Sequence, residues 1–322
     1  MNTVTAPTKP QTSYAEASAP ESSLTLRADA ISTWTFGKAA DFLELTKPRI
    51  AVMVLATVAV GYTLGCEGNW QLAVLLPTLV GVGLVASGSC ALNQYLERIT
   101  DSRMPRTADR PLPAGRLTPG EVLVFGISCG ITGTVWLAMT VNLLTSLLTF
   151  STLFMYVLIY TPLKRQTCVC TAIGAIPGAL PPVLGWAAAR GSLDAGAFAL
   201  FAVLFLWQFP HFLAIAWMYR DQYERAGLRM LPRNGSSRVI SLMAVTYAVV
   251  LIPASLLPHT TGLGGDWYAL AAIVLGLGYL AASIRFARHE TRTTARGVLF
   301  VSLIYLPMLL LVLTFDHLRM LM

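Results

Sequence analysis

The residues best suited to do chemistry lie in one run, Asn93 to Pro111. Asn93, Glu97 and Asp101 are spaced by four, so on a helix they stand on one face, one above another. Two carboxylates at that spacing repel each other, a cost with no structural purpose. The pair makes sense when a hard cation such as Mg²⁺ sits between it and a phosphate, because Mg²⁺ takes one or two carboxylates and completes its octahedron with phosphate oxygens and water. Arg103, Arg106 and Arg110 follow at once, and their planar forks fit phosphate. A solvated, charged helix end followed by arginines that set membrane orientation accounts for the same spacing, and the residues alone leave both readings open.

A second charged run, His211 to Gly227, contains Asp221 and follows the sixth apolar stretch of the chain, whereas Glu97 and Asp101 follow the second. Two acidic sites four stretches apart suggest an internal duplication in which each half gives carboxylate to one site. Asp221 thereby joins Glu97 and Asp101 as a candidate metal ligand. His211 lies about two turns inside its stretch, where an ionisable residue is a functional candidate. A neutral histidine hydrogen-bonded to a neighbouring helix fits the position equally well. Between the two runs, Tyr160, Lys164 and Arg165 close the fourth stretch. Lys164 stands either to meet a departing anion or only to mark topology.

The elements that must position these groups are membrane spans. The chain of 322 residues is 55% hydrophobic and 12% charged, with a mean hydropathy of +0.62. Soluble domains carry roughly twice that charged fraction, so a charged coat around a core is excluded, and so is a disordered chain. Nine apolar stretches fall near 50–66, 72–92, 119–140, 143–161, 171–189, 195–217, 237–257, 267–284 and 297–315. The predicted fold is all-α, nine transmembrane helices around a central cavity open to the cytoplasmic side. Of 23 basic residues, 21 fall on one face; the others are Arg190 and Arg319. Positive charge concentrates on the cytoplasmic side, which puts the N-terminus inside and accounts for the net charge of +7 without a nucleic-acid partner.

Residues 1–33 read as a disordered tail, 34–47 as an amphipathic helix lying in the interface with Phe36, Ala39, Ala40 and Leu43 at helical spacing, and 48–322 as the transmembrane domain. Glu16, Glu21 and Asp29 argue against a mitochondrial transit peptide, and no apolar core of a cleaved signal is present. A bacterial plasma membrane is the expected location. The five cysteines read as small apolar fillers. Gly81, Gly83 and Gly88 lack the spacing of a dinucleotide fingerprint and suit close helix packing instead. A cation-coupled transporter, the non-enzymatic alternative, calls for ionisable groups near the bilayer midplane, where only His211 lies.

Taken together, these features resemble the intramembrane UbiA-type prenyltransferases. The match rests on Asn93, Glu97 and Asp101, on Tyr160 and Lys164, and on the acidic site after the sixth span. Within the family the resemblance is to the haem-prenylating branch. It is carried by Leu43 to Arg49, Met104 to Thr107 with Arg110-Pro111, Tyr160 to Arg165, Gly178 to Pro182 with Gly185-Trp186, and Trp207 to His211. It implies transfer of a farnesyl group from farnesyl diphosphate to the vinyl group of haem B, with addition of water, to give haem O and hand it to a haem A synthase. It further implies Mg²⁺ on Glu97, Asp101 and Asp221 assisted by Asn93, and diphosphate held by Arg103, Arg106, Arg110, Tyr160, Lys164 and Arg165. His211 is then the in-membrane contact for haem. Glu97 stands where the family usually has Asp, Ile99 where another Asp is frequent, and Gln222 where a second Asp often follows Asp221. A UbiA-type enzyme acting on an aromatic or chlorin acceptor is the alternative.

Overall fold

A computed structural model describes residues 37–229 and 237–322. The tail, residues 34–36 of the expected interfacial helix, and 230–236 with Arg233 lie outside the described residues. The chain divides into a unit over 1–40, of which the helical residues 37–40 are described, and a compact unit over 41–322.

Nine helices among the described residues are long and apolar enough to cross a membrane. They are α1 Pro48–Gly65, α2 Leu72–Asp101, α3 Pro119–Thr140, α4 Leu143–Leu163, α5 Cys170–Arg190, α6 Ala195–Met218 and, after the short α7 Arg220–Arg225, α8 Arg238–Thr260, α9 Asp266–His289 and α10 Arg292–Leu321. Several of them start at side chains that satisfy the first free N–H groups. Thr118 and Glu121 form a capping box at α3, Asn142 accepts from Thr145 N at α4, and Asp194 accepts from Gly196 N and Ala197 N at α6.

The polarity of the bundle is that of a protein dissolved in lipid. Met139, Phe300 and Phe315 are among the most exposed side chains, at 81%, 65% and 71%, whereas Thr78, Ser255 and Ser283 are fully buried. Each of these three hydroxyls donates to the carbonyl four residues back, so none of the three is left unsatisfied in hydrocarbon. The chain is a multi-pass membrane protein.

Helix α1 packs on α5, α2 on α3, and α6 on α8 and α10, while α9 sits against α8 and α10 and α1 touches α2 and α10. The main apolar core lies among α5, α6, α8, α9 and α10, around Trp186, Leu200, Trp217, Tyr279, Phe286 and Tyr305. At α1 and α5 the backbones meet. A Cβ at Gly61 would fall 1.9 Å from the Pro182 carbonyl oxygen, and one at Gly185 would fall 1.9 Å from that of Val58. Only glycine permits that approach.

Three departures from the apolar pattern matter for function. Helix α2 runs on past its apolar stretch to Asp101, so Asn93, Glu97 and Asp101 do share a helix. Pro181, which has no N–H, and Pro182 break α5 at Leu180. Before α1, residues 37–45 are helical, but the packed side chains there are Phe42 and Leu45 rather than Leu43, which is 60% exposed. Leu45 is fully buried against Ala91, Leu112, Leu117 and Val122, and the Gln94 amide donates to its carbonyl at 2.8 Å. Residues 42–45 are therefore clamped to the C-terminal end of α2 and the start of α3.

The α1–α5 contact predicts that Gly185→Ala lowers stability by about 1–3 kcal/mol through overpacking, whereas Gly278→Ala, with nothing within 4 Å of its would-be Cβ, changes it little. Thermal unfolding in detergent checks the pair; equal midpoints would remove the close approach as a determinant of the fold.

Candidate active site

At the inner end of the bundle a cavity of about 120 Å³ is bounded by α2, α4, the loop over 102–118 and the segment over 219–229. Glu97 and Asp101 line it from α2, and Asn93 lies one turn deeper. All three are buried, Asp101 to 1% exposure.

Buried carboxylates need cations within reach, because isolated charge is costly in an apolar setting. The Lys164 ammonium donates to Glu97 Oε1 at 2.8 Å and lies 4.4 Å over the Tyr160 ring. Burial works against the Lys164 charge, but the surrounding Tyr160, Glu97 and Tyr156 and the bond to Glu97 outweigh it and push its pKa above the ordinary lysine value. Arg110 Nη1 donates to Asp101 Oδ2 at 2.6 Å. Arg106 Nη2 donates to the Tyr223 hydroxyl at 2.7 Å, and its guanidinium lies 4.7 Å from the Tyr219 ring centroid.

The wall opposite α2 comes from an irregularity in α4. Pro162 cannot donate, and its ring crowds the carbonyl four residues back. The helix widens into a π-turn over Met155–Tyr160, a form frequent at functional sites. The Thr161 hydroxyl donates to the Tyr156 carbonyl at 2.8 Å and accepts from the Asn93 amide at 3.0 Å. Asn93 thus ties α2 to the widened turn, which sets Tyr156 and Tyr160 together on the cavity with ring centroids 5.4 Å apart.

Of the residues singled out from sequence, Asn93, Glu97, Asp101, Arg106, Arg110, Tyr160 and Lys164 are brought together here. Others stand apart. Arg103 is exposed and outside the cavity, and Arg165 donates to the Leu96 carbonyl at 3.3 Å, which fastens α2 rather than lining the site. Asp221 is 69% exposed with Arg220 at 3.6 Å, and among the described residues no three acidic, histidine or cysteine side chains cluster as a metal site. The neighbouring Gln222 amide oxygen is buried without a hydrogen-bond partner among the described residues. His211 lies in α6, its Nδ1 2.7 Å from the Ser302 hydroxyl and its ring stacked on Trp207, and does not line this cavity. Lys47, Tyr156, Thr161 and Tyr223 were missed as site residues. The sequence signal for Tyr156 was its place one turn before Tyr160; Lys47 read as an interfacial charge.

The Glu97–Lys164 pair predicts strong coupling. Lys164→Met leaves a buried carboxylate unpaired and should cost about 3–5 kcal/mol, and adding Glu97→Gln should recover more than half of it. Because the Lys164 pKa is raised, its contribution is fully present below the unfolded value of 10.5 and is lost only as pH rises through the still higher folded value. Coupling measured by thermal unfolding should therefore be the same at pH 6 and pH 8; additive costs would contradict the pairing.

Residues 54–304 match the UbiA prenyltransferase family. The chain is 47% identical over 279 residues to the protoheme IX farnesyltransferase of Solibacter usitatus, covering 84% of this chain and 96% of that one. It is 42% identical over 280 residues to the protein of the same name from Myxococcus xanthus, covering 87% and 95%. In fold it is similar to a digeranylgeranylglyceryl phosphate synthase, with a TM-score of 0.73 at 18% identity over 88% of this chain and 99% of that one. It is also similar to a UbiA homolog from Archaeoglobus fulgidus bound to GPP and Mg²⁺, with a TM-score of 0.59 at 15% identity over 85% and 99%. Site, fold and sequence agree that this chain belongs to the UbiA prenyltransferase family.

Proposed function

We propose that the chain transfers a farnesyl group from farnesyl diphosphate to the vinyl group of haem B, with addition of water, to give haem O. The observation that carries the reading is the charge of the inner cavity, where Lys47, Arg106, Arg110 and Lys164 face only Glu97 and Asp101. Two positive charges in excess, walled by the Tyr156 and Tyr160 rings, suit a polyanionic leaving group on an apolar chain. The names of the relatives supply the acceptor and the chain length.

The residues divide the work. Lys164, Arg106 and Arg110 hold the diphosphate and stabilise the charge that develops as the carbon–oxygen bond to the farnesyl chain breaks with its electron pair on oxygen. Glu97 and Asp101 are two buried hard oxygen donors on successive turns, a set that fits Mg²⁺ shared with a substrate phosphate. When bound, Mg²⁺ supplies further neutralisation of the leaving group. Tyr156 and Tyr160 screen the allylic cation from bulk water until the vinyl carbon captures it. Water then adds to the resulting cation and a proton is lost. Asp221, facing solvent, is proposed as an outer residue of the diphosphate entrance, with Arg103 and Arg165 beside the mouth rather than in it. His211 is the proposed haem contact, in the second half of the bundle. The concentration of basic residues on one face supports a cytoplasmic N-terminus; a bacterial plasma membrane, and a haem A synthase as recipient of the product, complete the proposal.

Expression of the chain in cells that lack haem O, followed by pigment extraction and mass analysis, should yield haem O; a prenylated aromatic product instead would reassign the acceptor. Asp101→Ala should lower the rate by about 10²–10³, and Asp221→Ala by at least tenfold less. Equal losses would place Asp221 at the metal. His211→Ala should raise the haem concentration needed for half-maximal rate at saturating farnesyl diphosphate; an unchanged curve would remove His211 from the haem site.

A further inference from the structure

Lys47 is one of three non-glycine residues with positive φ among the described residues, at φ 52°, ψ 64°. A left-handed conformation costs an L-residue roughly 1–2 kcal/mol. The surroundings hold it there. Pro48 follows and disfavours the right-handed helical region for the residue before it. On the other side Leu45 is buried and its carbonyl is fixed by Gln94. The Lys47 carbonyl then accepts from Ile50 N at 2.9 Å and Ala51 N at 3.1 Å to start α1. This turn places Lys47 on the wall of the inner cavity.

The four cations of that cavity differ in what they hold. Lys164 is bonded to Glu97, Arg110 to Asp101, and Arg106 to the Tyr223 hydroxyl. Lys47 has neither a side-chain hydrogen bond nor an ion pair among the described residues. Burial pushes its ammonium below the ordinary lysine range; Arg110 and Lys164 add to that, and Cys90 and Glu97 oppose it. A strained residue that delivers a desolvated, unpartnered cation to a cavity has no packing role to explain it. The N-terminal end of α1, where the helix dipole is positive, begins at the next residue.

We infer that the Lys47 ammonium contacts the diphosphate of the isoprenyl substrate directly, as the cavity cation whose side chain holds neither a hydrogen bond nor an ion pair among the described residues. The inference deepens the proposed function and rests on it. Lys164 and Arg110 divide their charge between an acidic partner and the ligand, whereas Lys47 gives its full charge to phosphate oxygen. A diphosphate fits this better than a haem propionate, because Arg106, Arg110 and Lys164 converge on the same space.

The test is binding of inorganic pyrophosphate with Mg²⁺ to the full chain in detergent, followed by calorimetry, for Lys47→Asn, Lys47→Gly and Lys47→Arg. Asn and Gly accept the left-handed backbone and remove the charge, so neither should unfold the protein. Both should weaken pyrophosphate binding about tenfold or more, Lys47→Arg should stay within about threefold, and the haem dependence of the rate should not move. Unchanged pyrophosphate affinity in Lys47→Asn and Lys47→Gly would overturn the inference, as would a change confined to haem. Absence of pyrophosphate binding in the unaltered chain would sink the proposed function itself, and this contact with it.

Discussion

Burying Glu97 and Asp101 on successive turns at the inner end of α2 is the constraint on which the rest of the site depends. Neither carboxylate is surrounded by water, and two like charges at that spacing repel each other. Cations must therefore be delivered from elsewhere in the chain. Lys164 arrives from the end of α4, and Arg110 from the loop over 102–118, whose turn is fixed by the Thr107 hydroxyl donating to the Asp101 carbonyl at 2.8 Å. The Lys164 carbonyl in turn accepts from Arg229 N at 2.7 Å, which ties the 219–229 segment to the same point. One pair of acids thus organises three separate stretches of chain into one rim.

The same requirement explains the irregular wall. The π-turn before Pro162 carries Tyr156 and Tyr160 at i, i+4 with their rings side by side and Lys164 over one of them. Asn93 bonds to Thr161 at the point where the distortion ends. At the end of the widened turn the Tyr156 carbonyl accepts from both the Thr161 N–H and the Thr161 hydroxyl, so it stays satisfied within the helix. On the proposed reading, this local cost yields an aromatic screen beside a polar floor, the combination a carbocation reaction on a greasy chain requires.

Spans were legible because lipid forces long apolar runs. The alignment of Asn93, Glu97 and Asp101 followed from the helical period alone, although whether the helix persisted beyond its apolar stretch did not. Asp221 shows the limit of such reasoning. Its place after the sixth span groups it in sequence with the other acids, but the direction of a side chain on the six-residue α7 depends on how that short helix is docked, which periodicity does not carry. Lys47 was hidden for the opposite reason: a lysine before a proline at a membrane entrance has an adequate topological explanation, and only the cavity reveals what else it faces. His211 lies in α6, and its distance from the acidic cavity depends on which helices pack together.

The central claim is that Glu97, Asp101 and the cations around them form one diphosphate site at the inner end of the bundle. A crystal structure with Mn²⁺ and a non-ionising thiolodiphosphate analogue of the isoprenyl substrate tests it most directly. The account predicts an anomalous peak within coordination distance of Glu97 and Asp101 carboxylate oxygens, with the analogue's phosphates between the metal and Lys47, Arg106 and Lys164. An ordered analogue bound elsewhere in the bundle, with no metal at Glu97 or Asp101, would contradict it.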